Sequence, residues 1–271
     1  MARKNLTLVT WNINSIRRRI HLLEKLIADV RPDVICLQEI KVEPKLFPYG
    51  EMKDLGYPHI ALTSQKGYHG VAILSSLPFA KEHRHLFAAK EDARHVAVTF
   101  QNGLTLDNFY VPAGGDIADV KLNPKFAHKL LYLEELAGWY GKQKSKKTKK
   151  IIMVGDLNVA PLEHDVWSHK QLLDVVSHTP GEVERLLKIQ KAHSFVDIVR
   201  RSRPETEKVY TWWSYRAQDW AASDRGRRLD HIWASPAAAD QILETHILRD
   251  ARGWQAPSDH VPVIAHFILQ D

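Results

Sequence analysis

The residues of this chain best suited to chemistry are Gly155-Asp156-Leu157-Asn158 and, near the far end, Ser258-Asp259-His260. The first group follows Ile151-Ile152-Met153-Val154, an apolar run that reads as a fully buried strand. An acid and an amide therefore sit where a central strand gives way to a loop, a frequent place for reactive groups on α/β sheets. The second group precedes Val261-Pro262-Val263-Ile264-Ala265, another strand-like run, which puts an acid and an imidazole at its mouth. Four more polar clusters fall at strand ends: Trp11-Asn12-Ile13-Asn14, Leu37-Gln38-Glu39, the run closed by Tyr110, and Asp230 at the head of Asp230-His231-Ile232. A single strand-end Asn or Asp is commonly a turn residue or helix cap. Six such clusters in order along one chain are hard to explain that way. Oxygen donors of this kind suit a hard divalent cation, and with a titratable group nearby they suit phosphoester hydrolysis.

Composition bounds the setting. The chain has 271 residues, of which 44% are apolar and 26% charged, as expected of a globular protein with a sizeable core. Its formal net charge is +6 in spite of 32 acidic residues. A basic excess around an acidic cluster suits a polyanionic partner, because cationic side chains release counterions from phosphate backbones; it also serves solubility. Cys36 is the single cysteine, which excludes an intrachain disulfide or a cysteine-rich zinc site and reads as an inert core residue. No apolar stretch approaches the ~20 residues of a membrane span, and Met1–Asn5 leads into a strand without a signal-like apolar region. The expectation is a cytoplasmic protein with no membrane partner.

Strands are expected at Leu6–Trp11, Val34–Gln38, His59–Leu62, Gly70–Ser75, His95–Thr99, Leu104–Tyr110, Ile151–Val154, Asp230–Ala234 and Val261–Phe267. Helical spacing marks Ile16–Ala28, Lys125–Tyr140 and Glu182–Gln190, the last with Pro180 just ahead of it. Strands outnumber helices, and the helices are not spaced as regular βαβ units, which points to an α/β protein of mixed sheets with helices outside. No repeat or Pro/Gly/Ser linker interrupts the chain, so residues 1–271 read as one domain. The lysine-rich segment Lys142–Lys150 reads as a solvated loop, with phosphate contact as the alternative.

Taken in order, Trp11–Asn14, Leu37–Lys41, Gly70–Leu74, Asn108–Pro112, Gly155–Asn158, Leu229–Asp230 and Ser258–His260 resemble the motifs of the exonuclease III family of abasic-site (AP) endonucleases. That family lies within the endonuclease/exonuclease/phosphatase superfamily. Gln65-Lys66-Gly67 and Asp224-Arg225-Gly226 fit the exonuclease III branch, as does Trp212–Arg216, which phosphoinositide phosphatase relatives usually lack. The resemblance implies a four-layered sandwich of two mixed β-sheets flanked by helices. It also implies a Mg²⁺-dependent DNA-repair nuclease, with Mn²⁺ as a substitute, that cuts 5′ to abasic sites and trims or dephosphorylates 3′ ends of duplex DNA. A monomer is the expectation. The alternatives are a superfamily phosphoesterase acting on a small molecule and a non-catalytic DNA-binding module.

By the same resemblance, Glu39 anchors the metal, with Asn12, Asp156, Asn158 and Asp259 on the metal side. His260 and Asp230 look like the family's histidine–aspartate pair, and either His260 or Asp156 is the general base. Asn158 would orient water, and Tyr110 would bond the phosphate or the leaving oxygen. Lys66, Gly67, Arg94 and Arg225 match positions that grip DNA backbones, while Trp212 and Leu229 match the pocket for a flipped-out abasic sugar. Two departures stand out. Arg227 replaces an apolar or aromatic pocket residue, and would either grip a phosphate or crowd the pocket, with the backbone-facing orientation expected. His178-Thr179-Pro180 and the helix after it stand where relatives often carry a Leu-Pro-Glu-Glu pattern, a segment that in the family lies beside the DNA cleft and influences the balance of endonuclease and 3′-exonuclease activity.

Overall fold

The first strand faces two cores at once. In the computed structural model, which describes residues 4–143 and 148–269, Leu6 and Leu8 point one way and Val9 and Trp11 the other, as the two-residue period of a strand requires. The strands are β1 (Lys4–Asn12), β2 (Val34–Gln38), β3 (His59–Thr63), β4 (Val71–Ser75), β5 (Phe79–His83), β6 (His95–Phe100) and β7 (Thr105–Tyr110). They continue as β8 (Ile151–Asp156), β9 (Val196–Asp197), β10 (Trp212–Trp213), β11 (Gly226–Arg227), β12 (Asp230–Ala234), β13 (Ile242–Ile247) and β14 (Val263–Leu269). One six-stranded sheet has the order β13-β14-β1-β2-β4-β3, and the second has the order β5-β6-β7-β8-β12-β9. Both are mixed: β1 and β2 run parallel, as do β7 and β8, while the other pairs are antiparallel.

The sheets pack face to face. Leu8, Cys36, Ile73 and Ala265 of the first meet Val96, Leu106, Val154 and Ile232 of the second in one buried core. On the outer face of the first sheet lie α1 (Ile20–Val30) and α2 (Tyr49–Asp54), which insert Leu22, Leu23, Leu26 and Met52. On the outer face of the second lie α3 (Pro124–Lys142) and, after a short α4 (His169–Leu172), α5 (Pro180–His193). This is the expected four-layered α/β sandwich. Cys36 is buried in the inter-sheet core, and burial pushes its thiol up, consistent with an inert residue. Among the described residues no helix is long and apolar enough to cross a membrane.

The differences from the sequence expectations have physical causes. Ile16 belongs to a turn ahead of α1, where Arg19 N–H bonds its carbonyl at 3.1 Å; its apolar character reflects burial, not a helical face. Val261 precedes β14 and donates instead to Thr211 at 2.9 Å. The edge strands β5 and β13 were not expected, because Phe79-Ala80-Lys81-Glu82-His83 and Ile242–Ile247 expose most of their side chains and show no apolar alternation. Residues 144–147 of the lysine-rich segment lie outside the described residues.

Candidate active site

Strand register brings the polar strand ends together. Across β7-β8-β12, Tyr110 stands beside Asp156 and Asp156 beside Asp230, so three functional groups form one row at the rim of the second sheet. Parallel pairing of β7 and β8 is close enough here that a side chain at Gly155 would put its Cβ 2.0 Å from the Phe109 carbonyl oxygen, at a φ of +136°. That is the reason for glycine ahead of Asp156. The facing rim carries Asn12 and Glu39. Below the row, two buried amides bracket the sheets: Gln38 Nε2 donates to Asn108 Oδ1 at 2.7 Å, and Asn108 Nδ2 donates to the carbonyls of Leu37 and Ala72.

Ser258 fixes the third contributor. Its hydroxyl donates to the Asn12 carbonyl at 2.7 Å and accepts from the His260 N–H, while Trp11 Nε1 donates to the His260 carbonyl. Asn12 joins the acids: its Nδ2 donates to Glu39 Oε1 at 2.8 Å and to Asp156 Oδ2 at 2.9 Å. Its Oδ1 accepts from Asn14 N–H, so Asn12 is a turn residue as well. His260 Nδ1 lies 2.8 Å from Asp230 Oδ2, and Nε2 lies 3.6 Å from Asp156 Oδ2. Asp259 accepts from Trp212 Nε1 and from Asn14 Nδ2. Asn158, at φ +53°, donates from its side chain to the Val111 carbonyl, and its N–H donates to Asp156 Oδ1.

The electrostatics follow from burial and charge. Burial opposes the His260 cation, but Asp230 and Asp156 outweigh it and raise the imidazole to about 10. Asp156 is pushed up to about 7, first by burial and then by Asp230 and Glu39, against the pull of His260 and Asn12. Burial also works against ionised Glu39, yet the Lys41 ammonium 2.6 Å away and the hydrogen bonds from Asn12 and Lys41 hold its carboxyl below the usual range. Burial, then the fields of Glu39 and Asp156, keep the Tyr110 phenol protonated far above its ordinary value. The site thus holds an imidazolium, a carboxyl that titrates near neutrality, an ionised carboxylate and a phenol donor.

A cleft of about 530 Å³ opens over these groups, lined on one side by Glu39, Tyr110, Asp156, Asn158, Asp259 and His260. Its far side carries Trp212, Arg225, Arg227 and Leu229. Asn12 and Asp230 stand behind the lining. Arg94 borders a neighbouring cavity of about 450 Å³ that shares Tyr110, and its guanidinium is held by Asp92, His69 and the Tyr110 carbonyl. Lys66 and Gly67 lie outside both cavities, exposed on the loop between β3 and β4. Arg225 stacks over Trp167. Arg227 stands in the wall of the cleft. It turns inward, 5.3 Å from the Trp212 ring, and Nη1 donates to the Val176 carbonyl and Ser177 Oγ.

Sequence reading missed a buried pair behind Asn158. Lys129 of α3 and Glu182 of α5 are both 0% exposed and in contact. Lys129 Nζ donates to the Asn158 carbonyl at 2.7 Å and to the Ala113 carbonyl at 3.2 Å, and Glu182 accepts from Ser177 N–H and the Thr179 hydroxyl. Thr179 and Glu182 form a capping box at the start of α5, and a lysine on a helix signals nothing until packing buries it. Lys129→Met strands the Glu182 charge and is expected to cost about 3–5 kcal/mol of unfolding free energy, read by urea denaturation. A loss below about 1 kcal/mol would show that the pair does not matter to stability.

The comparisons with known proteins agree with this geometry. The chain belongs to the Endonuclease/Exonuclease/phosphatase family, which it matches over residues 9–260. Within it the chain falls in the exonuclease III branch of AP endonucleases and is a phosphodiester hydrolase. An exodeoxyribonuclease III of Haemophilus influenzae is 31% identical over 273 residues, covering 96% of this chain and 98% of the relative. An AP endonuclease from Archaeoglobus fulgidus superposes with a TM-score of 0.89 at 32% identity, covering 97% of this chain and 99% of that one. A 3′ phosphatase from Neisseria bound to a product DNA hairpin gives 0.88 at 29% identity, with the same coverage of 97% and 99%.

Proposed function

We propose that this protein is a divalent-metal-dependent DNA-repair nuclease that cuts the phosphodiester 5′ to abasic sites and processes DNA 3′ ends. The observation that carries it is the shared amide of Asn12, which holds the Glu39 and Asp156 carboxylates side by side next to an imidazolium in an open cleft. The relatives that cover nearly the whole chain are named for exodeoxyribonuclease, AP endonuclease and 3′ phosphatase activities, which supports a DNA substrate.

The donor set fits a hard cation. Glu39 and Asp156 offer neighbouring carboxylate oxygens, and Asp230 Oδ1 is buried without a hydrogen-bond partner. Asp156, Asp230 and His260 also place donor atoms within 4.8 Å of one another, but an imidazole held as a cation is a poor ligand, which leaves Glu39 and Asp156 as the principal holders. When bound there, Mg²⁺, or Mn²⁺ in its place, supplies charge neutralisation for the phosphate and the developing leaving oxygen.

The protein's own groups divide the remaining work. His260, oriented by Asp230, meets the phosphate as a cation. Asp156, buried between Tyr110 and Asp230 and 3.6 Å from His260, takes a proton from water or gives one to the departing 3′ oxygen. Tyr110 donates its phenol proton, Asn158 orients the water, and Asn12 and Asp259 support the metal side. Lys66, Gly67, Arg94 and Arg225 grip the DNA backbone, and Trp212 and Leu229 wall the sugar pocket. The chain acts in this reading as one domain and as a monomer on duplex DNA.

The direct test is a labelled duplex with one abasic site, incubated with Mg²⁺ and then with excess chelator, beside an undamaged recessed 3′ end. Cleavage that stops in chelator and returns with Mg²⁺ or Mn²⁺ is expected; full activity in chelator would overturn the reading. Binding of undamaged duplex is expected to weaken on the order of 10²-fold between about 50 and 200 mM salt, as for contact with several phosphates. A flat salt profile in a fluorescence-anisotropy titration would point to a small phosphoester instead.

A further inference from the structure

We propose that Arg227 forms an anion subsite inside the pocket, one that reads the phosphate on the 3′ side of the nucleotide whose sugar enters it. The inference rests on the nuclease reading above and assigns a substrate feature to it.

The guanidinium is anchored without being neutralised. Nη1 is spent on the Val176 carbonyl, 2.9 Å away, and Ser177 Oγ, 2.7 Å away, while Nε is buried with no hydrogen-bond partner. No carboxylate among the described residues pairs with Arg227; Glu182, the acid whose field reaches it, is committed to Lys129 and to the start of α5. The residue as a whole is half-buried, and its Nη2 makes no hydrogen bond among the described residues, so an incoming anion can reach this end of the fork and neutralise the charge. The anchor itself is rigid. Ser177 N–H donates to both Glu182 oxygens, the Ser177 carbonyl accepts from Ala160 N–H at 2.7 Å, and the Trp212 ring lies 5.3 Å from the guanidinium.

Position selects which anion. Trp212 pairs with Arg227 on one side and bridges to His260 on the other. Arg227 therefore stands two strand spacings, roughly 10 Å, from His260, where the scissile phosphate is proposed to lie. A long side chain covers that interval toward the next phosphate of the same strand. The cleft keeps about 530 Å³ with Arg227 in place, so the residue is part of its wall and not a plug. An internal abasic nucleotide carries a 3′ phosphate and satisfies Arg227, whereas a terminal nucleotide with a free 3′ hydroxyl leaves it unsatisfied.

The experiment replaces that one phosphate by an uncharged methylphosphonate, 3′ to the abasic residue, and compares kcat/KM for wild type, Arg227→Lys and Arg227→Leu. For wild type the replacement is expected to lower kcat/KM roughly 10- to 100-fold, the range of a lost charged hydrogen bond. For Arg227→Leu the two substrates should differ by less than about threefold, and for Arg227→Lys by an intermediate factor, because lysine keeps the charge but not the fork. An equal methylphosphonate penalty in wild type and Arg227→Leu would overturn the subsite. So would faster cutting of the native abasic duplex by Arg227→Leu, which would mean that arginine obstructs the pocket. The wild-type comparison stands even if a variant fails to fold. A recessed undamaged 3′ end separates the two levels: if wild type cuts it yet ignores the methylphosphonate, the subsite alone fails, and if wild type cuts no DNA, the nuclease reading fails with it.

Discussion

Asp156→Asn is expected to lower the single-turnover cleavage rate by at least about 10³-fold at saturating Mg²⁺, while duplex affinity changes little or tightens. The substitution preserves shape but removes a proton acceptor and a charge. Asp156 is 1% exposed and lies in the row between Tyr110 and Asp230, 3.6 Å from His260. Burial and the neighbouring carboxylates push it up to about 7, and a divalent cation held beside it would favour its ionised, proton-accepting form. No other acid can take over, because Asp230 is engaged with His260 and Glu39 with Lys41. General acid–base catalysis contributes roughly 10²–10⁴-fold, and the loss of a metal-side oxygen adds to it. A variant that cuts abasic duplex within about tenfold of wild type would remove Asp156 from the chemistry. Anisotropy with labelled duplex serves as the folding and binding control.

The second large effect concerns Glu39. Glu39→Ala should raise the Mg²⁺ concentration for half-maximal cleavage by about 10²-fold or more and leave little activity at millimolar metal. Glu39 follows β2 directly, at φ +51°, a left-handed conformation that a non-glycine residue adopts only under constraint from its surroundings. The backbone bond from Ser15 N–H to the Glu39 carbonyl at 2.7 Å, the Asn12 amide and Lys41 supply that constraint. The carboxylate they fix is ionised in spite of burial, as a hard-metal ligand must be. A readout independent of turnover is the melting temperature. Metal that binds only the folded state stabilises it by RT ln(1 + [L]/Kd), so wild type should gain several degrees on adding Mg²⁺ and Glu39→Ala far less. Equal metal-dependent shifts in the two proteins would exclude Glu39 as a metal holder.

Some of this was written in the linear chain. Apolar β-branched runs such as Ile151–Val154 and Val34–Leu37 are buried on both faces of their sheets, so they announce central strands by composition alone. Each ends in a polar group because the last side chain of a strand, or the first past it, stands at the rim of the sheet, where polar partners and the cleft replace the apolar core. That is why Asn12, Glu39, Tyr110, Asp156, Asp230 and His260 were recognisable as a set, and why their order resembled one family. Edge strands without buried apolar side chains in alternation were not legible: β5 and β13 each have one hydrogen-bonded partner and an exposed face, whereas the edge strand β3, which buries Ala61 and Leu62, was. Tertiary structure alone decided the row Tyr110–Asp156–Asp230, since a register shift of one residue would turn every one of those side chains to the opposite face. It also decided the states of the groups. An aspartate raised to about 7 and an imidazole raised to about 10 are products of burial and of charges brought from distant segments, which no local sequence contains. The same holds for Lys129, ordinary in sequence yet fully buried beneath Asn158, and for Arg227, whose inward turn is set by Val176 and Ser177, some fifty residues earlier in the chain.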